Sequence, residues 1–297
     1  MSGNDWLTER FETSRAHLRA VAYRMLGSAT EADDAVQECW LRVSRADAAA
    51  VENLEGWLTT ILARICLNML RSRKSRREEP LEEREVQSAG TRHQRTGPED
   101  ETVLADSVGV ALLVVLEKLN PAERVAFVLH DVFGATFEEI APVVKRSPAA
   151  ARQLASRARR RVRGTDTAGG PAAARLSKQR QVVEAFLSAL RAADLEGLLA
   201  VLDPGVVRRA DKAALPPGAA AELRGAEPVV KEVLTYAGVA RSARLVLVDG
   251  SPGFIVAPRG KLRTAMRCTV RRGKITEMEV IADPARLRKL KLNVPSS

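Results

Sequence analysis

The residues best suited to bind another molecule lie in one basic segment in the middle of the chain. Ser147-Pro148 precedes AAARQLASRARRRVR, which holds five arginines from Arg157 to Arg163. Serine is a favoured N-cap and proline a favoured first helical residue, so the spacing predicts a helix that begins here. Arginine pairs with guanine or phosphate and glutamine with adenine, which favours DNA contact. For the arginines alone, a solvated helix end favoured by the helix dipole is the alternative.

The residues before this helix indicate a helix-turn-helix. Asn120-Pro121 opens one helix, Gly134 ends it, and Thr136-Phe-Glu-Glu139 has the form of a capping box. The short link Lys145-Arg146 then leads into the basic helix, whose first turns are expected to lie in the major groove. We expect Ala149, Arg152, Gln153 and Ser156 to face base edges, and Arg157, Arg160 and Arg161 to reach phosphates, with Arg146 and Ser147 at the start of the same surface.

The first 77 residues also read as helices with one polar face. In EADDAVQECWLRV, apolar residues form a stripe along one side of the predicted helix, and the opposite, polar side is made by Asp33, Asp34, Gln37, Glu38 and Arg42. A solvated surface is the simplest interpretation of that polar side. The helix from Gly56 ends in RSRKSRR, which suits phosphate contacts or a dipole-favoured helix end. Trp40 and Trp57 stand at apolar positions, which favours core packing.

Composition limits the possible functions. The net charge of +10 suits a polyanionic partner. Cys39, Cys66 and Cys268 form no CxxC or Cys/His cluster, so we expect no disulfide framework, no metal site, no cofactor and a reducing cytoplasm. The apolar run Val108 to Leu116 is too short to cross a bilayer, and the N-terminus lacks a signal-peptide pattern, so a soluble protein without a membrane partner is expected.

The pattern divides the chain into five predicted parts: a helical domain at residues 1–77, an acidic flexible linker at 78–107, a helix-turn-helix domain at 108–164, a linker at 165–174, and a mixed domain at 175–292. In the last part, helices precede alternating strands at Ala243 to Val248, Gly253 to Ala257, Leu262 to Arg271 and Lys274 to Ala282. The predicted fold class is therefore two all-α domains followed by an α+β domain with a curved sheet.

Two blocks resemble a known family. FETSRAHLRAVAYRMLGSATEADDAVQECWLRV and ENLEGWLTTILARICLNMLRSRKSRRE resemble region 2 of extracytoplasmic-function sigma factors, group 4 of the sigma-70 family. LNPAERVAFVLHDVFGATFEEIAPVVKRSPAAARQLASRARRRVRG resembles region 4. The resemblance covers about half the chain. It implies a protein that is not an enzyme but binds core RNA polymerase and promoter DNA and directs transcription initiation.

The resemblance also implies roles for individual residues. Asp33, Asp34, Gln37, Glu38 and Arg42 would dock on the clamp helices of the polymerase largest subunit, and region 4 would meet the flap region of core polymerase. The helix around Arg152 and Gln153 would read the minus-thirty-five element. The melted minus-ten element would be held by Asn53, Trp57, Thr60, Arg64, Arg71 and Arg73.

The C-terminal part resembles the SnoaL-like, NTF2-fold extension of some of these sigma factors. LSKQRQVVEAFLSALRAADLEGLLAVLDPGVVRRAD, VDGSPGFIVAP and IADPARLRKL carry the likeness. Ala210-Asp211-Lys212-Ala213 stands where the subgroup has a DGGGK-like segment, and Asp283-Pro-Ala-Arg-Leu287 where it has Asn-Pro-Asp-Lys-Leu. The resemblance implies that Asp211, Lys212, Asp283 and Leu287 take part in regulation in cis, through contact with the first linker.

Other functions remain open from the residues alone. A helix-turn-helix regulator could act without polymerase, and the C-terminal domain could bind or convert a small molecule. All three histidines precede that domain, which leaves Asp211 as its best general base. Apolar positions in its strands, where we favour a solid core over a pocket, are Phe254, Val256, Met266 and Val270. Residues 165–297 carry nine excess positive charges, and our hypothesis is that they dock on the acidic linker, with contact to DNA or polymerase as the alternative.

Overall fold

The computed structural model describes residues 3–46, 51, 53–78, 107–163 and 170–294, and these residues form two compact units. The helical unit takes in the described residues of Met1–Asp106 together with Leu116–Arg159. The mixed unit takes in Ser107–Val115 and the described residues of Arg160–Ser297. The expected fold class, helical first and α+β afterwards, is confirmed. The predicted domain boundaries differ from these unit boundaries and stay a prediction; most of the predicted acidic linker lies outside the described residues.

The N-terminal and central parts of the chain are helical because apolar side chains recur at helical spacing. Leu18, Met25, Leu58 and Leu62 are fully buried among the first three helices. The helices are α1 Gly3–Leu26, α2 Ala29–Val43, α3 Leu54–Glu78, α4 Ser107–Leu116, α5 Pro121–Phe127, a π-helical turn Val128–Val132, α6 Phe137–Val144 and α7 Pro148–Arg163.

The helix-turn-helix forms through the local signals that its sequence carries. Thr136 and Glu139 make a reciprocal capping box, with Thr136 Oγ1 accepting from Glu139 N at 3.3 Å and Glu139 Oε2 accepting from Thr136 N at 2.8 Å. Ser147 Oγ accepts from Ala150 N at 3.2 Å and caps α7. Lys145 takes a left-handed conformation, φ 55°, which turns the chain between the helices where glycine is the usual residue.

The mixed unit packs helices against a seven-stranded sheet. Its remaining elements are α8 Pro171–Ala192, α9 Leu195–Val201, β1 Leu202–Ala210, β2 Glu222–Arg224, α10 Ala226–Leu234, α11 Ala237–Ala240, β3 Ala243–Val248, β4 Ser251–Val256, β5 Thr264–Arg271, β6 Lys274–Ile281, α12 Pro284–Lys289 and β7 Leu292–Asn293. The strand order is β2-β1-β6-β5-β4-β3-β7. Within this order β1 pairs with β6 in parallel, and the other pairs are antiparallel.

Two features of the mixed unit differ from the sequence expectation. Helix α8 begins at Pro171, inside the segment 165–174 that was expected to be a linker, because proline fits the first helical position and AAARLSKQ continues the helix. Strand β1 was not expected because Pro204-Gly205 interrupts its alternation, and the register of its pairing with β6 shifts between Leu202 and Val207. The described chain contains no helix long and apolar enough to cross a membrane.

Candidate nucleic-acid interface

Helix α7 has a buried small-residue face and an exposed polar face. Ala151, Ala155 and Ala158 are fully buried, so α7 lies close to the helices beneath it. The residues predicted to contact DNA, namely Arg146, Ser147, Ala149, Arg152, Gln153, Ser156, Arg157, Arg160 and Arg161, are exposed. The structure therefore brings these nine residues together at one surface.

Three of the basic side chains of α7 are also held by neighbours. The Arg152 guanidinium lies over the Phe137 ring, 5.1 Å from its centroid, and Arg157 Nε lies 3.7 Å from Glu123 Oε1. Arg159 Nε donates to Asp131 Oδ1 at 2.5 Å, and this aspartate is largely buried. Loss of either partner would leave the other charge poorly compensated, so Arg159 is engaged within the fold rather than extending the exposed surface of α7.

On the polar side of α2, Asp34, Gln37 and Arg42 are exposed, Asp33 and Glu38 are half-buried, and an additional apolar residue is present. Asp33 accepts from Arg19 Nε at 2.6 Å, and Arg42 Nε donates to Glu38 Oε1 at 2.8 Å. Asp34 and Gln37 are exposed to solvent. Leu41 is 44% exposed beside them. The signal in the sequence was its position one turn after Gln37, which places Leu41 on the polar side of the helix although its neighbour Trp40 is at an apolar position.

The start of α3 lies against the turn that precedes α6. Asn53 Oδ1 accepts from Gly56 N at 2.9 Å and caps α3, while Thr60 Oγ1 donates to Gly56 O at 2.8 Å. Asn53 and Thr60 line a cleft of about 280 Å³ whose other wall includes Phe133 and Ile140. Two residues of the predicted minus-ten set are therefore next to the helix-turn-helix in this structure.

A second cleft collects positive charge. It has a volume of about 390 Å³ and is lined by Arg42, Arg64, Arg71 and Lys145. Asn68 also lines it, and sequence reasoning missed this residue. Arg42 from the predicted polymerase-binding set, and Arg64 and Arg71 from the predicted minus-ten set, thus line the same cleft as Lys145 of the helix-turn-helix.

Arg73, another residue of the predicted minus-ten set, is half-buried and held by neighbours. It forms an ion pair with Glu31 and donates from Nη1 to Leu26 O at 3.2 Å. Nearby Arg124 is 3% exposed, and burial lowers its pKa to about 10. Arg73 is 42 residues from Glu31 and 47 from Leu26, so spacing could not reveal these contacts.

The four predicted regulatory residues gather at one corner of the mixed unit. Asp211 accepts from three backbone amides, Ala214 N at 3.1 Å, Ala282 N at 3.0 Å and Asp283 N at 2.9 Å. Asp283 caps α12 by accepting from Arg286 N at 2.8 Å, Leu287 is buried, and Lys212 is exposed. We call this arrangement the Asp211 clamp. Its oxygens are engaged by backbone donors, which leaves Asp211 poorly suited to act as a general base.

The cysteines are unsuited to chemistry or metal binding. All three are buried, and burial raises the pKa of the Cys39, Cys66 and Cys268 thiols to about 12, so they stay protonated near neutral pH. Among the described residues there is no group of His, Cys, Asp and Glu side chains that could hold a metal ion.

An exposed helix-turn-helix reading face, a second helical block and a C-terminal α+β unit define a DNA-binding transcription protein. Residues 11–76 match Sigma-70 region 2, and residues 109–162 match Sigma-70, region 4. The chain is 33% identical over 98% of its length, and 98% of the relative's, to the probable ECF RNA polymerase sigma factor SigI of Mycobacterium tuberculosis. The chain belongs to the ECF RNA polymerase sigma factors.

Solved structures give further matches. The crystal structure of the Mycobacterium tuberculosis extracytoplasmic function sigma factor SigJ is 33% identical, covers 94% of this chain and 97% of that chain, and has a TM-score of 0.44. An NTF2-like protein from Burkholderia xenovorans is 20% identical over 39% of this chain and 97% of that chain, with a TM-score of 0.27.

The Asp211 clamp predicts a measurable contribution to stability. Asp211→Ala leaves three backbone amides without their charged acceptor, so we expect the free energy of unfolding to fall by about 3 kcal/mol. Asp203→Ala is the matched control, because Asp203 accepts from a single exposed amide, Gly205 N at 2.9 Å, and should cost less than about 1 kcal/mol. Urea denaturation followed by circular dichroism measures both; equal costs would contradict the clamp.

Proposed function

We propose that the exposed faces of α2 and α7 allow this chain to bind core RNA polymerase, place it on two promoter elements and assist strand opening. The observation that carries the proposal is the exposed face of α7, set on a capped helix-turn-helix, in a chain that belongs to the ECF sigma factors. The test is to mix the purified protein with active core polymerase and promoter DNA. Co-purification and permanganate-reactive thymines near the start site are expected; failure of both would contradict the proposal.

The recognition helix supplies the reading of duplex DNA. Arg152 and Gln153 stand exposed in the second turn of α7, where side chains reach base edges, and stacking on Phe137 restricts the conformations that Arg152 can adopt. Arg160 lies further along the helix, at the level of the phosphates. We therefore assign base recognition to the first pair and phosphate contact to Arg160.

These two assignments predict different effects on binding. Arg152→Ala should cost about 1–3 kcal/mol and relax preference at one promoter position. Arg160→Ala should weaken binding evenly across sequences and reduce the salt slope by about 1. Holoenzyme binding to a set of single-base promoter variants, measured at several salt concentrations, separates the effects. Arg175→Ala, an exposed arginine on the mixed unit, is the control; unchanged preference in Arg152→Ala would show that the reading face is assigned wrongly.

The exposed side of α2 is the proposed polymerase contact. We propose that Asp33, Asp34, Gln37, Glu38 and Arg42 form this contact together with the exposed Leu41, which lies one turn after Gln37 on the same side of the helix. The clamp helices of the largest polymerase subunit are the proposed partner of this side.

Leu41 gives a direct test of that contact. Leu41→Asp should weaken core polymerase binding by about tenfold or more, because a charge would be buried where an apolar side chain packs. Leu195→Asp alters another exposed leucine, 52% exposed on the mixed unit, and should leave binding unchanged. Fluorescence titration of labelled protein with core enzyme gives both affinities. Equal affinities for the two variants would remove α2 from the interface.

We further propose that the C-terminal part regulates transcription in cis and performs no catalysis of its own. Within the mixed unit, Asn293 Nδ2 donates to Arg161 O at 2.8 Å and Val294 N donates to Val162 O at 2.8 Å. The last carbonyls of the recognition helix are thus bonded to the C-terminal tail. The proposed contact with the acidic linker, including Glu82, Glu83 and Glu85, lies outside the described residues. The cytoplasm, where core polymerase works, is the proposed location.

Removal of the C-terminal part tests this regulation. A protein that ends at Gly170 loses both bonds to the end of α7 and should give transcription about fivefold or more above the full-length protein at equal holoenzyme concentration. Core polymerase affinity serves as the control and should be the same for both proteins. Equal transcription from the two holoenzymes would show that the C-terminal part has no regulatory role on that promoter.

A further inference from the structure

The second cleft of the helical unit, which we call the basic cleft, gathers four cationic side chains. Arg42 comes from α2, Arg64 and Arg71 come from α3, and Lys145 comes from the turn before α7. None of the described residues that line the cleft is acidic. Because three separate parts of the chain supply these charges, they are not the solvated face of a single helix. Like charges in one cleft repel one another, and a bound anion relieves that repulsion.

Most of this charge has no partner within the fold. Arg42 donates to Glu38, which is not among the lining residues. The side chains of Arg64, Arg71 and Lys145 are exposed and form no ion pair within the described part of the chain. Three positive charges of the basic cleft are therefore open to a ligand.

Lys145 lies in a backbone conformation that suits glycine better than lysine. Its φ is 55°, in the left-handed region, where a Cβ atom crowds the neighbouring carbonyl oxygen. Folding alone would thus favour glycine at this turn. Residues that keep an unfavourable backbone conformation are concentrated at functional sites, and Lys145 brings a positive charge to the basic cleft.

The size and the lining of the cleft select the class of ligand. Its volume of about 390 Å³ falls within the range of small-molecule sites, about 300–1,000 Å³. Guanidinium groups hold phosphate through paired N–H donors, and lysine holds it as a point charge. Asn68 adds an amide group to the lining. We propose that the basic cleft binds a small anion with two or more linked phosphate groups, which matches the three unpaired charges.

The walls of the basic cleft favour a small anion over a nucleic acid. Leu67 of α3 and Val143 of α6 are buried, and both line the cleft, so its two sides are packed parts of the helical unit. A duplex would have to part these helices to reach the charges between them. An anion that contacts both Lys145 and the arginines of α3 stabilises the packing of α6 on α3.

The test titrates the full-length protein with pyrophosphate, with phosphate and with a single-stranded DNA pentanucleotide, in magnesium-free buffer, by calorimetry. Pyrophosphate should bind at least about tenfold more tightly than phosphate, because it can contact more of the three charges. Methyl NMR gives the location of binding. The signals of Leu67 and Val143, which line the cleft, should shift, and those of Val246 in the mixed unit should not.

Two variants test the assigned side chains. Lys145→Gly removes one charge and suits the left-handed turn, so it should fold and lower the affinity for pyrophosphate about tenfold. Arg272→Gly is the matched control, because Arg272 is an exposed basic residue with φ 51° in the mixed unit, and its loss should leave the affinity unchanged. Asn68→Asp places a carboxylate one turn from both Arg64 and Arg71, so it should also lower the affinity.

Several results would overturn the proposal. They are no binding of pyrophosphate, equal affinity for pyrophosphate and phosphate, methyl shifts away from Leu67 and Val143, and equal affinities of Lys145→Gly and Arg272→Gly. Binding of the pentanucleotide alone, weakened by Lys145→Gly, would assign the basic cleft to nucleic acid instead. These measurements need neither polymerase nor a promoter, so their outcome is separate from that of the proposed function.

Discussion

The division of the arginines between those that folding ties into the structure and those left exposed on α7 organises the molecule. Arg159 is bound to a largely buried aspartate, Arg73 to Glu31 and to a backbone carbonyl, and Arg124 is buried where α5 packs on α3. These ties hold the helices together. Arg152 and Arg160 remain exposed on α7 because the alanines of the opposite face are small enough to let that helix lie close to its neighbours. The net charge alone does not show which arginines are held within the fold and which stay exposed, because that depends on where each arginine lies in the fold.

The features that were predictable from the sequence are the local ones. The caps at Thr136 and Ser147 are formed by residues within three positions of each other, so spacing was sufficient to find them. Strands β3 to β6 were found because short glycine turns separate alternating runs. Strand β1 could not be found this way: its parallel partner β6 is some seventy residues away, and Pro204-Gly205 disrupts its pattern. The ion pair of Arg73 could not be found for the same reason, because its partner Glu31 is distant in sequence.

Apolar alternation also does not distinguish a filled core from the wall of a cavity. Phe254, Val256 and Met266, where we favoured a solid core, line a cavity of about 130 Å³ in the mixed unit, and they satisfy the pattern in either case. What separates the outcomes is the opposite wall, where Arg208 and Glu232 occupy space that apolar side chains would otherwise fill. The pair requires the backbone carbonyls of Ala220 and Ala221 and a helix at the right distance. These are properties of the assembled unit and have no signature in a single strand.

The helical unit brings together two surfaces that promoter reading would have to separate. The start of α3 and the turn before α6 line one cleft, and His17 meets Phe133 edge to face at 5.4 Å. Elements centred near minus ten and minus thirty-five lie about 25 base pairs apart, or about 85 Å along the duplex. The 28 residues between Glu78 and Ser107 can span at most about 100 Å when extended, which is enough. Under the proposed assignment of Asn53 and Thr60 to one element and of α7 to the other, simultaneous reading of both would require the contacts of α3 with α5 and α6 to open. The buried Arg124 and the Arg73 ion pair are among the interactions that set the free energy of that opening.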